Sequence, residues 1–360
     1  MSLVTTRRAV AILATLFVGA CSDATAPTID NVDASAAITA SAPVVAVMDQ
    51  PALASFSSLG YVSGLPASAS AASINVVSLM TKAAARGQWD RQAPLFARSA
   101  ARAADVLPID VRGNMYEYNT TTQQYEVSSN PDAATPASGI RVVLYAWDVL
   151  SGTFSSPLTR IGHVDLIDES NASQNRLNVV LVRANGNATL MDYDITHSVT
   201  SSSESFSIAG SATNGITPVV FNLSGNASET AANVTFDLEA ETIGFEVHVG
   251  MNANALTEQA TVETSLGYNG HTLSFRLATT DNGVDGEISF DGMRYATLSI
   301  VVVETPGSVT TTVTFEKANG RAMTVEEVEQ IQGVFERALN FTGFWEALLW
   351  PVGALATSPI

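Results

Sequence analysis

The chain has 360 residues and carries 35 acidic side chains against 17 basic ones, a net charge of −18. Charged residues make up only 14% of it, about half the usual soluble share, so the surface is expected to be rich in Ser, Thr and Asn with an excess of carboxylates. Such a field opposes nucleic acid and anionic head groups, which both require cationic patches.

Arg7 and Arg8 precede an uncharged run from Ala9 to Ala20. That run is long enough for the apolar core of a signal peptide and too short to cross a bilayer as a helix. It closes on Val18-Gly19-Ala20-Cys21, and Cys21 is the single cysteine of the sequence. The pattern resembles the lipobox of bacterial lipoprotein precursors, a branched apolar residue and two small ones ahead of a cysteine. The resemblance implies a signal peptide over residues 1–20, cleavage before Cys21 and lipidation of its thiol. A membrane partner reached through that lipid follows from the same resemblance. Ser22 rather than aspartate after the cysteine implies the outer membrane, with the protein facing either the periplasm or the surface. Cleavage would remove two arginines and no acids, taking the net charge from −18 to −20. It would leave no thiol for disulfides, catalysis or metal ligation.

Residues 21–70 are rich in Ala, Ser, Pro and Val without a sustained period. They read as a flexible tether, within which Pro43 to Met48 could dock as a strand. Residues 71–105 read as helical, with a break at Gly87 to Pro94. The cations Lys82, Arg86, Arg91, Arg98 and Arg102 fall in this segment and are expected on a solvated helix face.

From residue 106 to 320 the apolar period becomes two. "NVTFDLEA" sets Val234, Phe236 and Leu238 on one face, and "GFEVHVGM", "TLSFRLA" and "SVTTTVTFE" repeat the alternation. Half-buried strands follow from that pattern. Asn-Gly at 269–270, Asp291-Gly292 and similar pairs separate the runs, as expected of short hairpins between antiparallel neighbours. Helical spacing returns over 321–350, opened by the capping box Thr324-Val-Glu-Glu327 and ending in the apolar "FTGFWEALLW". Residues 351–360 form a tail.

The expected fold is therefore mainly β: a large antiparallel meander of about a dozen strands, curled around or covered by N- and C-terminal helices. A β-sandwich is the alternative. In the first arrangement Phe344, Trp345, Leu348 and Leu349 would plug the sheet against Phe236, Phe245 and Phe275.

No G-x-S-x-G, H-E-x-x-H, phosphate loop or G-x-G-x-x-G motif occurs, and no catalytic residue or cofactor is expected. Weak candidates for a hard cation are Asp165, Asp168, Glu169, Asp192 and Asp194, because Ca²⁺ takes several oxygen ligands. In so acidic a chain such pairs also arise as solvated strand faces. "DNGVDGE" at 281–287 reads as a hairpin turn rather than a calcium loop. The aromatics of "MYEYN", with Tyr145 and Trp147, suit either sugar stacking or cross-strand packing. The functional expectation is a non-catalytic, lipid-anchored envelope protein that holds an apolar small molecule between sheet and helices. A structural lipoprotein contacting another envelope protein is the alternative, and a carboxylate-dependent hydrolase is a more remote one.

Overall fold

The computed structural model describes residues 34–59, 106–148, 153–171, 174–186, 188–200, 202–228, 230–257, 259–280, 283–305, 308–341 and 348. Three strands come first: β1 (Met115–Asn119), β2 (Gln124–Val127) and β3 (Gly139–Tyr145). A small separate hairpin follows, made of β4 (Trp147–Asp148) and β5 (Thr153–Phe154). The long strands are β6 (Arg160–Asp168), β7 (Asn175–Arg183), β8 (Thr189–Val199), β9 (Ser203–Thr213), β10 (Pro218–Ser228) and β11 (Ala231–Ala240). They continue as β12 (Phe245–Asn254), β13 (Gln259–Tyr268), β14 (His271–Thr280), β15 (Gly283–Phe290), β16 (Met293–Thr305) and β17 (Ser308–Lys317).

Fifteen of these strands form one sheet. From β6 to β17 every strand lies beside its sequence neighbour, and beyond β6 the order is β3, β1, β2. The edges are therefore β17 and β2. The expected antiparallel meander is present, longer than a dozen strands and in one hydrogen-bonded sheet rather than the two of a sandwich. β1 and β3 run parallel over a short contact at Met115 and Tyr116. Short turns enforce the meander. At Asn269-Gly270 and Asp291-Gly292 both central residues have positive φ (51° and 79°, 49° and 76°), the conformation that a two-residue turn between twisted strands requires.

The segment 21–70 departs from its reading as a tether. Within it lie two helices, α1 (Ala34–Met48) and α2 (Pro51–Ser58), and Pro43 to Met48 belongs to α1 instead of a strand. Pro51 opens α2 at its first turn, where a missing N–H costs nothing. Leu53, Phe56 and Leu59 are 0–3% exposed, the three-to-four spacing of a buried helix face. Small residues hid that period, because alanine and serine at the intervening positions look like linker composition. Residues 1–33, 60–105 and 351–360 lie outside the described residues, and with them Cys21, the signal peptide, the helical segment expected at 71–105 and the tail.

The described residues divide into two compact units, one including residues 225–341 and the other including 43–59 and 106–224. In the second, α2 packs against β3, β4 and β6, and β3 is buried at all seven positions. Gln50 ties the start of α2 down, donating to Thr213 O (3.1 Å) and accepting from Arg183 Nη2 (3.3 Å).

In the first unit the alternation foreseen from sequence sets one apolar face. Val234, Phe236 and Leu238 of β11 stand opposite Met251, Val249 and Val247 of β12. The register carries the same face through Leu266, Leu273, Ile288 and Ala296 to Lys317 on β17. Helix α3 (Val325–Asn340) packs against β13 and buries Glu327, Ile331 and Val334.

Candidate functional site

The carboxylates singled out from sequence lie on or just after β6 and on β8, with β7 between those strands, and each is held by a side-chain partner. Arg141 on β3 stands directly opposite Asp165 on β6. Its Nε and Nη2 donate to the two Asp165 oxygens at 2.7 and 2.8 Å, a bidentate geometry that only a guanidinium supplies. The same group donates to Asp132 (2.8 Å) and to Ala134 O (3.1 Å). The hydrogen bond with Asp165 raises the Arg141 pKa against the opposing effect of burial. His163 Nε2 lies 3.9 Å from Asp165. Burial, then the Arg141 charge, pushes the His163 pKa below the ordinary imidazole value, so the ring is neutral at pH 7.

Asp168 accepts the Leu107 N–H (3.0 Å), the Ser170 N–H (2.9 Å) and Arg112 Nη2 (2.8 Å). Glu169 and Asp194 share Arg176, at 3.1 and 2.8 Å, while Asp192 accepts from Asn178 (3.0 Å). The five acids thus divide among three arginines and an asparagine. Among the described residues no group of three His, Cys, Asp or Glu side chains is placed to hold a metal ion. Sequence could not assign these partners, because Arg112 and Arg141 lie far along the chain from the acids they meet.

Residues 281 and 282 lie outside the described residues, but the register pairs Thr280 with Gly283, so only two residues connect β14 to β15. Asp285 accepts from Ser299 (3.0 Å). The aromatic residues do converge. Phe154, on the small separate hairpin, meets Tyr118, Trp147, Tyr145 and Tyr125 edge-on at centroid distances of 4.5–6.1 Å. Such T-shaped contacts are packing geometry, and Tyr125 OH is committed to Val143 O (2.9 Å). Phe154 was missed in sequence because its strand is two residues long and shows no period.

A different arrangement appears on the apolar face of the first unit. Toward one end, Phe245 is buried against Phe341 (centroids 5.7 Å), and Lys317 and Tyr295 bond to Glu327 of α3. At the other end Leu277, Leu298 and Ile300 form a buried cluster, surrounded by Val262, Phe275, Val284 and Phe315, which are only half-buried. Gly286 lies between Leu277 and Leu298, where an added Cβ would stand 2.9 and 3.1 Å from their side chains. The bare backbone lets those leucines close over β15. The half-buried ring around this cluster is the candidate site.

Of the residues expected to plug the sheet, Phe344, Trp345 and Leu349 lie outside the described residues. Leu348 is fully buried, and its carbonyl accepts from Tyr193 OH (3.0 Å). Phe236 is buried, whereas Phe275 is half-buried.

No protein-family model, no curated protein and no solved structure matches the chain.

Proposed function

We propose that the protein is a lipid-anchored, non-catalytic component of the bacterial outer membrane that takes up an apolar, acyl-chain-like ligand. The ligand lies against the half-buried end of the apolar sheet face in the first unit. One observation carries this reading. Val262, Phe275, Val284 and Phe315 remain half-buried around a fully buried aliphatic cluster, whereas the other end of the same face is covered by α3 and Phe341. Apolar area left in water on a face otherwise buried is stabilised by whatever covers it, at roughly 25 cal/mol per Å². The anchor is supported by the sequence around Cys21. The carboxylates support a non-catalytic reading, since their acceptor positions are filled by arginine and backbone donors.

The test is titration of the full chain, carrying Cys21→Ser to remove acylation, with a fluorescent fatty acid. Saturable uptake that is lost in Phe275→Asp is the expected result. Absence of saturable uptake, or equal uptake by the variant, overturns the reading. Circular dichroism of the variant separates loss of the site from loss of the fold.

A further inference from the structure

The edge strand β17 presents a second surface. Among the described residues its only strand neighbour is β16, apart from a single bridge between Glu316 and Ala322 at its C-terminal end. Edge strands are ordinarily blunted by charges, prolines or brevity, because their unpaired N–H and C=O groups template another strand. β2, at the opposite edge, is four residues long and includes Glu126. β17 is ten residues long, and from Ser308 to Phe315 it contains neither a charge nor a proline.

Its sequence is also self-complementary. Ser308-Val-Thr-Thr-Thr-Val-Thr314 reads nearly the same in both directions about Thr311. Lys317 donates its N–H away from β16, to Arg321 O (2.7 Å). Because hydrogen-bonding direction alternates along an antiparallel strand, Val309, Thr311 and Val313 turn their backbone groups to the same outer side. A two-fold axis at Thr311 therefore meets a residue whose N–H and C=O both point toward the second copy.

We propose that two copies of this chain pair antiparallel through β17, with the two-fold axis at Thr311. The register sets Val309 opposite Val313 of the second copy, Thr310 opposite Thr312, and Thr311 opposite itself, and forms about six new backbone hydrogen bonds. Threonine pairs and β-branched pairs are favourable across antiparallel strands. Charge agrees with this register: Glu316 lies five residues from the axis, beyond the Ser308 end of the second copy's strand, so the two Glu316 carboxylates do not face each other. In a chain of net charge −18, an uncharged edge is where two copies approach with least repulsion. The interface uses the same patch on both copies, so it closes as a dimer and does not propagate.

Sedimentation velocity of the full chain carrying Cys21→Ser tests this without acyl chains or a thiol. A dimer is expected at micromolar concentration. Thr311→Pro removes an N–H that points away from β16, a position an edge strand tolerates. Thr311→Lys sets two like charges face to face across the axis. Both variants are expected to sediment as monomers with an unchanged circular dichroism spectrum. A monomeric parent, a dimer that survives Thr311→Lys, or assembly into open filaments would each overturn the proposal.

Discussion

Lys317 and Glu327 form an ion pair inside the first unit, exposed by only 7% and 4%. Lys317 stands on the apolar sheet face opposite the fully buried Ala296. Its Nζ donates to Glu327 Oε1, the other Glu327 oxygen accepts the Thr324 N–H (3.0 Å), and the Glu327 N–H donates to Thr324 Oγ1 (3.3 Å). Glu327→Gln keeps the volume and the capping box but leaves an ammonium buried without its counter-charge. Breaking such a pair costs about 3–5 kcal/mol, whereas replacing both members by uncharged groups is often close to neutral. Glu327→Gln and Lys317→Met are each expected to lose about 3 kcal/mol, and the double variant only about 1–2 kcal/mol. Urea unfolding of the four chains, followed by far-ultraviolet circular dichroism, measures the cycle. Additive losses, or a Glu327→Gln loss below about 1 kcal/mol, would refute a buried, coupled pair. A pH signature accompanies it. Burial tends to raise the Glu327 pKa, but the hydrogen bonds from Lys317 and Thr324 outweigh it and hold the carboxyl below its ordinary value. The associated stability is therefore present at neutral pH and lost as pH falls below about 4, an acid limb that Glu327→Gln should remove.

Phe341→Ala, which empties the site against Phe245 where the side chain is 2% exposed, should cost about 3–5 kcal/mol and lower the melting temperature; an unchanged melt would mean that Phe341 does not seal the face. Gly286→Ala should cost about 1–3 kcal/mol in urea unfolding, because the new Cβ meets Leu298 at 3.1 Å, and Leu277→Ala in the same chain should recover part of that loss. His163 has a lowered pKa in the folded chain, so unfolding takes up a proton and stability falls as pH drops below about 6.5. The difference in melting temperature between the parent and His163→Gln should change across pH 7.5 to 5.5, and a constant difference would exclude a buried neutral imidazole.

The sheet was legible because its signals are local. Period-two alternation in β11, β12, β14 and β17 and the Asn-Gly and Asp-Gly turns each lie within about a dozen residues, and so does the Thr324–Glu327 capping box. What escaped depends on contacts distant in sequence. α2 is helical because Leu53, Phe56 and Leu59 bury against strands that begin some eighty residues later. The pairing of Arg141 with Asp165 and Arg112 with Asp168 follows strand register and chain crossing, which composition does not encode. β1 could not be placed beside β3 either, since a parallel contact leaves no hairpin signature. The candidate site was visible only as a surplus of one-sided apolar residues. That the ring residues are half-buried while Phe245 is sealed against Phe341 rests on contacts between residues far apart in sequence.

Phe315 belongs both to the half-buried ring of the apolar site and to the edge strand β17. A two-fold axis perpendicular to the sheet keeps the same face on the same side in both copies, so pairing at Thr311 makes their apolar faces continuous. Phe315 is four residues from that axis, roughly 13 Å along the strand. A ligand covering Phe315 therefore rests beside the edge at which the two copies pair. Binding and pairing then share a free energy, and by reciprocity each must strengthen the other by the same factor. Thr311→Lys, which alters none of the ring residues, should weaken fatty-acid uptake several-fold while leaving the fold intact. The same probe added to the parent chain should shift sedimentation further toward the dimer. Equal affinity in parent and variant, at concentrations where only the parent is dimeric, would show that each chain binds its ligand alone.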